Sequence, residues 1–192
     1  MNNELLIYLS KHISLSDELK DIIVQSSNIK TYKKGTILLK KDEISNEAFF
    51  VLKGCMRSYL LKDGEEKTIE FYTEEEPVTS MTYGKKEPSH HYLECIEDTI
   101  VNVSTPEYEE EMFQKFPQFE SVCRIMGEVM MANYQEKLTN YKMTNPEERY
   151  LNLLQTRPDL IQRAPQYQIA SYLGLTPQSL SRIRRRLVDK PK

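Results

Sequence analysis

The chain of 192 residues contains no tryptophan, only three cysteines and no long apolar segment. A helix that crosses a bilayer needs about 20 consecutive apolar residues, so we expect no transmembrane helix and no membrane partner. The first residues lack a basic start followed by a long apolar core, so we expect no signal peptide and a cytoplasmic protein. Cys55, Cys95 and Cys123 lack the spacing of a metal site or disulfide framework, which indicates reduced thiols acting as small buried hydrophobic residues.

The sequence also lacks the motifs of the common enzyme classes. It has no glycine-rich phosphate loop, no serine nucleophile elbow and no paired catalytic cysteine and histidine. His90 and His91 with Glu94 form a candidate metal-binding group, but adjacent residues of a strand point to opposite faces. A third imidazole could come only from His12. We therefore predict no catalytic residues, no metal site and no cofactor.

Charge is divided unevenly along the chain, whose formal net charge is −3. Residues 145–192 contain nine Lys/Arg and four Asp/Glu, a net charge of +5, whereas residues 1–144 contain seventeen and twenty-five, a net charge of −8. A basic segment joined to an acidic remainder is typical of a nucleic-acid-binding module attached to a sensor or scaffold. Because the acidic part should repel DNA, we expect DNA contact near the C-terminal end.

Residues 166–185, QYQIASYLGLTPQSLSRIRR, have the pattern of a helix-turn-helix. Ala170 is a small residue at the predicted helix crossing, and Gly174 falls in the turn, where a left-handed backbone favours glycine. Thr176 can cap the second helix, and Pro177 suits its first position. The outward face carries side chains that can bond to bases or phosphates in a major groove, namely Gln178, Ser179, Ser181, Arg182, Arg185 and Arg186. The alternative is a packed helix pair with a basic tail.

Residues 3–28 have a helical pattern, within which Ser16-Asp17-Glu18 predicts a helix start. Between residues 29 and 104, short β-rich runs replace this pattern. The runs are IKTY, TILLK, AFFVL, CMRSYLL, KTIEFYT, HYLECI and TIVNVS. Asp63-Gly64 between the fourth and fifth runs predicts a tight hairpin. Short strands at regular intervals predict a compact antiparallel roll or barrel.

Apolar residues recur every three or four positions from about Phe119 to Lys142 and predict one long helix. This stripe either packs on the chain's own sheet or pairs two copies of the chain, and we favour a homodimer because a two-fold protein matches a palindromic DNA site. The predicted dimer contacts are Val122, Met126, Val129, Met130, Tyr134 and Leu138. Asn145-Pro146 then predicts a new helix start with a capping box, because Asn145 can cap the helix and Glu148 can reach back to it. This start divides the chain into domains 1–118, 119–144 and 145–192.

This order of elements resembles the Crp/Fnr family of bacterial transcription regulators, from about residue 20 to residue 187. The most specific matches are YLGLTPQSLSRIRRRL and AFFVLKGCMRSYLLKDGEEKTIEFYTEEEP. The resemblance implies an α+β fold with an N-terminal antiparallel β-roll, a jelly-roll-like double-stranded β-helix flanked by helices. A long dimerisation helix and a C-terminal winged helix-turn-helix would follow. It also implies a homodimer that binds double-stranded promoter DNA beside RNA polymerase.

The resemblance assigns roles to individual residues of the helix-turn-helix. Pro177, Gln178 and Arg182 match the three positions that read bases. Cyclic-AMP-responsive members place Arg, Glu and Arg there, so we expect this chain to read a different DNA sequence. The positions that hold the phosphate backbone match Gln166, Gln168, Thr176 and Ser179.

The sensor half departs from the family's cyclic-nucleotide site, which has a Gly-Glu pair for the ribose and an Arg-Ser pair for the phosphate. Ser80-Met81 or Met81-Thr82 stands at the first pair, and His90-His91 stands at the second. Methionine cannot accept hydrogen bonds from ribose hydroxyls as a carboxylate does, and histidine lacks the planar fork of arginine. We therefore expect an effector other than cyclic AMP in a pocket formed by Ser80, Met81, Thr82, His90 and His91. An oxygen-sensing iron–sulfur centre lacks its cysteine cluster before the roll.

Two other functions fit the same residues. The chain could be a sensor for a cyclic nucleotide or another small ligand that does not act mainly through DNA. It could also be a constitutive regulator whose roll binds nothing and serves as a dimer platform. Salt dependence of DNA binding tests the first alternative, and a ligand screen tests the second.

Overall fold

The computed structural model describes residues 4–189. Residues 1–3 and 190–192, which belong to the first and last predicted domains, lie outside the described residues. No helix between residues 4 and 189 has both the length and the hydrophobicity needed to cross a membrane.

Two short helices precede the strands, α1 (Glu4–Ser10) and α2 (Asp17–Gln25). The helical pattern predicted over residues 3–28 is therefore interrupted between the two helices. The predicted start of the second helix is confirmed, because the Ser16 hydroxyl accepts a hydrogen bond from the Leu19 amide at 3.2 Å and caps α2. The interruption lets α1 fold back on α2, so that Leu9, Leu19 and Ile23 share one buried cluster.

Eight strands form the predicted antiparallel roll. They are β1 (Ile29–Tyr32), β2 (Ile37–Leu39), β3 (Ala48–Lys53), β4 (Met56–Lys62), β5 (Glu65–Tyr72), β6 (Pro77–Val78), β7 (Tyr92–Cys95) and β8 (Thr99–Ser104). They make two four-stranded sheets, β1-β8-β3-β6 and β2-β7-β4-β5, with antiparallel pairing throughout. All seven predicted runs are strands, and the two-residue β6 is an addition.

Local sequence accounts for the geometry of the roll. Side chains of β8 alternate between buried and half-buried, as expected of a strand with one face on a core. That core contains Val51, Leu93 and Val101. Asp63 and Gly64 both have positive φ, at 54° and 79°, which gives the predicted tight turn between β4 and β5.

Six helices follow the roll. They are α3 (Pro106–Lys115), α4 (Gln118–Met143), α5 (Pro146–Thr156), α6 (Leu160–Arg163), α7 (Gln166–Tyr172) and α8 (Pro177–Asp189). The predicted long helix, the cap at Asn145 and the two helices predicted within residues 166–185 are present, whereas α6 was not predicted. The wing is a correction to the predicted fold, because residues 105–189 contain no strand.

The C-terminal helices pack onto the roll. Phe71 and Ile96 of the roll share one hydrophobic cluster with Tyr150, Leu160 and Ile169 of the helices. The Phe71 ring also meets the Tyr172 ring edge-on, with 5.4 Å between the ring centroids. In this structure the C-terminal helices, α5 to α8, therefore pack against the roll.

The three cysteines are all free thiols. Cys55 and Cys95 are buried, as predicted, and burial raises the pKa of their thiols to about 12 and about 11, respectively. A high thiol pKa disfavours the reactive thiolate. Cys123 is exposed on α4, so the prediction that it is a buried hydrophobic residue is wrong.

Candidate DNA-binding surface and ligand cleft

The turn between α7 and α8 has the geometry that its sequence predicted. Gly174 has φ of 71°, and the amide of Leu175 donates to the carbonyl of Ala170 at 2.8 Å, which closes the turn. Ala170 is fully buried where the helices meet. A methyl group at position 174 would also stand 3.0 Å from the Tyr141 hydroxyl, so both backbone angle and space favour glycine.

The start of α8 is fixed by its own side chains. The Thr176 hydroxyl accepts a hydrogen bond from the Ser179 amide at 3.2 Å, and Pro177 occupies the first position of the helix. Arg182 donates from Nη2 to the Ser179 hydroxyl at 3.2 Å. These bonds fix the first turn of α8 and hold the guanidinium of Arg182 beside Ser179.

Most of the residues predicted to contact DNA are accessible. The exposed members are Gln166, Thr176, Pro177, Gln178, Ser181, Arg182, Arg185 and Arg186, and Ser179 is half-buried. Leu180 and Ile183, on the opposite face of α8, are buried against the other C-terminal helices. The helix therefore presents one polar, arginine-bearing face to solvent.

Gln168 departs from its predicted role on the phosphate backbone, because its side chain is buried at 4% exposure. With its amide turned so that the oxygen faces donors, it accepts a hydrogen bond from Nε of Arg57 at 3.2 Å. Arg57 belongs to β4 and is itself buried. The prediction for Gln168 is corrected, since the roll packs against this face of α7.

Arg57 holds together several elements of the roll beneath α7. Its Nε donates to Glu94 at 2.8 Å, and its Nη2 forms an ion pair with Glu66. Its guanidinium also lies 4.3 Å from the centroid of the Tyr59 ring. Next to this group, the amide of Thr68 donates to the Ser171 hydroxyl at 2.9 Å, which attaches α7 to β5.

Two further arginines attach the C-terminal helices to carboxylates of the acidic roll. Arg157 forms a 3.0 Å ion pair with Glu76, and Arg163 forms a 2.8 Å ion pair with Glu74. Arg163 also donates to Glu97 at 3.0 Å, and the carboxylates around it raise the pKa of its guanidinium. Part of the positive charge of residues 145–192 is thus neutralised by the roll. The exposed arginines Arg182, Arg185 and Arg186 lie on α8, where Arg186 pairs with Glu147 of α5 at 2.8 Å.

The long helix α4 has two differently placed halves. Val122 is buried at 5% exposure in the cluster formed by α1 and α2, and Met126 packs against the same cluster. These two predicted dimer contacts are corrected to core residues of the single chain. Val129 and Met130 are half-buried, whereas Tyr134 and Leu138 are 48% and 54% exposed.

Apolar side chains continue along the exposed half of α4. Met131, Tyr134, Leu138 and Tyr141 form what we call the exposed strip, each being at least 48% exposed. Contiguous apolar residues on the surface are unusual unless a partner covers them. The exposed strip, rather than the whole stripe from Val122, is the part of α4 with unsatisfied apolar surface.

A cleft of about 780 Å³ lies between the roll, α4 and α5. Its residues include Ser80, Met81 and His91 of the predicted effector pocket. Thr82 is buried and exchanges a 3.1 Å hydrogen bond with Ser80, but it does not line the cleft, and the exposed His90 does not line it either. The predicted pocket is therefore brought together in part.

Sequence reasoning missed the wall that the helices contribute to this cleft. That wall includes Met130, Tyr134, Lys137, Leu138, Tyr141, Arg149 and Arg157. The recurrence of Tyr134, Lys137 and Tyr141 at helical spacing was the available signal, but it did not show which face would meet the roll. No sequence pattern marked Arg149 as a cleft residue, because its position in the wall depends on how α5 packs against the rest of the molecule.

Two residues that line the cleft each have a buried polar atom without a hydrogen-bond partner among the described residues, Nδ1 of His91 and Nε of Arg149. Burial, with a smaller effect from His90, lowers the pKa of His91, so its imidazole is neutral near pH 7. The Arg149 guanidinium lies 4.1 Å from the centroid of the Tyr141 ring and donates from Nη1 to the Leu173 carbonyl at 3.0 Å. Within residues 4–189, no group of three or more His, Cys, Asp or Glu side chains is arranged to hold a metal ion.

The roll is similar to a known domain family. Residues 29–116, which span β1 to α3, match the family model described as the cyclic nucleotide-binding domain. No curated protein sequence matches the chain. The match covers the roll and α3 and ends before α4.

Solved structures share the fold over almost the whole chain. A CooA mutant from Carboxydothermus hydrogenoformans has a TM-score of 0.66 and 18% identity, covering 97% of this chain and 85% of that one. The Catabolite Activator Protein of Thermus thermophilus has a TM-score of 0.57 and 15% identity, covering 95% and 87%. CLP of Xanthomonas campestris, described as a c-di-GMP-responsive global regulator of virulence gene expression, has a TM-score of 0.66 and 14% identity, covering 88% and 89%.

Proposed function

We propose that this protein is a sequence-specific, DNA-binding transcription regulator of the Crp/Fnr type that acts as a homodimer. The observation that carries the proposal is the exposed face of α8, where Gln178 and Arg182 project from a capped helix with a buried opposite face. The fold shared with the catabolite activator and the global regulator supports the same function. Residues 1–118 then serve as the sensor, 119–144 as the dimerisation helix and 145–192 as the DNA-binding domain.

In this proposal α8 enters the major groove. Arg182 donates two hydrogen bonds to a guanine, a contact worth roughly 1–3 kcal/mol of discrimination, and Gln178 and Pro177 contact the neighbouring bases. Because Gln168 is buried against Arg57, phosphate contacts come from the residues that remain accessible. Those residues are Gln166, Thr176, Ser179, Arg185 and Arg186.

The exposed strip of α4 supplies the dimer contact. Pairing through Tyr134 and Leu138 removes apolar surface from water and presents two copies of α8 to the duplex. Two-fold proteins of this kind bind half-sites about one helical turn apart. RNA polymerase is the further partner that binding at a promoter implies.

We also propose that the effector is not cyclic AMP. Met81, at the position expected for a ribose-binding carboxylate, is 63% exposed and offers no charged acceptor. His91, at the position expected for a phosphate-binding group, is buried and neutral near pH 7, so it provides no cation. The cleft is the site that we assign to another small molecule.

The test of DNA recognition is the substitution Arg182→Ala. We expect affinity for a cognate duplex, measured by fluorescence anisotropy, to fall by roughly tenfold or more, because the bidentate contact is lost. Affinity for a random duplex should change much less. The matched control is Arg124→Ala, which removes an exposed arginine that pairs with Glu128 on α4. Equal affinity of Arg182→Ala and the parent protein for the cognate duplex would contradict this placement of α8.

A small-ligand sensor that does not act mainly through DNA is the second candidate function. The cleft with two unpartnered buried polar atoms is the observation that favours it. DNA binding by the proposed regulator should weaken steeply as salt rises, since phosphate contacts release counterions. Duplex affinity that is absent at low salt, together with retained ligand binding, would favour the sensor.

A further inference from the structure

The wall of the cleft is mostly apolar. Met130, Tyr134 and Leu138 of α4 line it together with Ile69 and Tyr72 of β5. Because Tyr134 and Leu138 also belong to the exposed strip, the partner chain of the proposed dimer would border the cleft. Its volume of about 780 Å³ is in the range of small-molecule sites, which is about 300–1,000 Å³. Such a wall favours a ligand with a hydrocarbon or aromatic body.

Most charges around the cleft are already paired. Nζ of Lys137 lies 3.1 Å from Oε2 of Glu70, and Nη2 of Arg157 lies 3.0 Å from Oε2 of Glu76. These two cations and two carboxylates therefore neutralise one another. Arg149 differs, because among the described residues it has a backbone carbonyl and an aromatic ring as partners and no carboxylate. Its Nε is buried without an acceptor. One positive charge with a free donor therefore remains in an apolar cleft.

A carboxylate suits that donor. A guanidinium binds a carboxylate through paired N–H donors, and the interaction strengthens where water is excluded. An unpaired buried donor also costs free energy, which a bound acceptor would recover. The charge and the apolar wall together favour an amphipathic organic acid over a neutral or cationic ligand.

The roll contributes a second polar atom. His91 is 3% exposed and its Nδ1 has no partner among the described residues, although its backbone amide and carbonyl are bound by Ser89. Being neutral near pH 7, the imidazole exchanges a hydrogen bond with an uncharged group rather than an acid. A ligand that reaches both His91 and Arg149 would connect the roll to α5.

We infer that this cleft binds an organic acid with an apolar or aromatic body, whose carboxylate lies on Arg149 and whose second, uncharged polar group bonds to His91. The inference rests on the proposed function in treating the cleft as the effector site of a regulator. Arg149 also donates to the carbonyl of Leu173, which precedes Gly174 in the helix-turn-helix. Occupation of Arg149 therefore acts directly on the turn that positions α8.

Indole-3-acetate is a suitable probe, because the chain has no tryptophan and indole emission reports on the ligand alone. Its ring is apolar, its N–H can bond to His91 and its carboxylate can bond to Arg149. The comparison ligand is 3-methylindole, which has the same ring without the acid. We expect the acid to bind the full-length protein at least tenfold more tightly. Equal affinity, or no change in emission at millimolar acid, would overturn the inference.

Variants localise the binding. Arg149→Met should remove the preference for the acid, whereas Arg124→Met, on the exposed surface of α4, should keep it. If Arg149→Met fails to fold, Arg149→Lys retains the charge without the fork and should bind the acid more weakly than the parent protein. Unchanged acid affinity in the folded Arg149 variant would overturn the assignment of the carboxylate.

Two more ligands test the other contacts. 1-Methylindole-3-acetate cannot donate from the ring nitrogen and should bind more weakly than indole-3-acetate, and equal binding would overturn the role of His91. Cyclic AMP should not displace the probe, and displacement at lower concentration than indole-3-acetate itself would overturn the ligand class. No DNA is present in these assays, so their failure leaves the Arg182→Ala test of the regulator unaffected.

Discussion

At the scale of single residues, His91 shows how burial determines protonation. Its side chain is 3% exposed, and burial lowers the pKa of its imidazole below the ordinary value of about 6.5. The unfolded chain therefore takes up this proton at higher pH than the folded chain. The free energy of unfolding should then decrease as pH falls below about 6.5 and approaches the pKa of the folded state.

This linkage predicts the behaviour of His91→Phe, which keeps a ring but cannot titrate. Relative to the parent protein, the variant should lose less stability between about pH 6.5 and pH 5, as measured by urea unfolding at each pH. Above pH 7 the difference between the two should be constant. His90→Phe, which replaces the exposed neighbour, should retain most of the pH dependence of the parent, because burial is the larger cause of the lowered His91 pKa. Parallel curves for His91→Phe and the parent across this range would contradict the burial argument.

At the scale of elements, the start of α5 follows from its sequence. The Asn145 side chain accepts hydrogen bonds from the Glu147 and Glu148 amides, both at 3.0 Å, and Glu148 accepts from the Asn145 amide at 2.8 Å. This reciprocal pair is the predicted capping box. It fixes the helix that carries both Arg149 and Arg157.

Removing the Asn145 cap should destabilise α5 and the C-terminal helices that pack against it. We expect Asn145→Ala to lower the free energy of unfolding by about 0.5–2 kcal/mol, because two amides lose their acceptor. Asn145→Asp supplies another carbonyl-type acceptor and should lie near the parent protein. Urea unfolding monitored by circular dichroism gives both values. Identical midpoints for Asn145→Ala and the parent would show that the cap contributes nothing to stability.

Elements with a local signal were predictable, and elements that depend on packing were not. The Asp63-Gly64 turn, the Thr176 cap and the glycine at position 174 each follow from backbone angles or free N–H groups near in sequence. The two-residue β6 and the four-residue α6 have no such signal, because contacts distant in sequence determine them. The burial of Gln168 has the same cause, since its partner Arg57 lies in the roll.

At the scale of the whole molecule, specific ion pairs between arginines and glutamates join the basic C-terminal helices to the acidic roll. Arg157 and Arg163 bind carboxylates of the roll, whereas Arg182, Arg185 and Arg186 of α8 are exposed and, among the described residues, pair with no carboxylate of the roll. Arg186 pairs with Glu147 of α5 at 2.8 Å. The charge asymmetry of the sequence indicated DNA contact near the C-terminal end, but it did not show which arginines pair with the roll. The structure assigns one group of arginines to the roll and leaves the other for the duplex that we propose.

The exposed strip predicts an association between two chains. Leu138→Asp places a charge in the strip and should convert a dimer to a monomer in light scattering, since a buried carboxylate at the interface is costly. The matched control is Ile7→Asp on α1, where a comparably exposed residue (45% against 54%) lies outside the strip, and this variant should remain dimeric. A parent protein that is monomeric at micromolar concentration would contradict the proposed dimer.

The most direct measurement of the central claim is selection of bound fragments from a pool of random duplexes at low salt. Because two copies of α8 are proposed to meet one duplex, the recovered fragments should share a two-fold symmetric motif. Its half-sites should lie about 10 base pairs apart, centre to centre. Retention should fall steeply as salt rises. If the dimeric protein retains no duplex at low ionic strength, or enriches no common motif, the proposed regulator is contradicted.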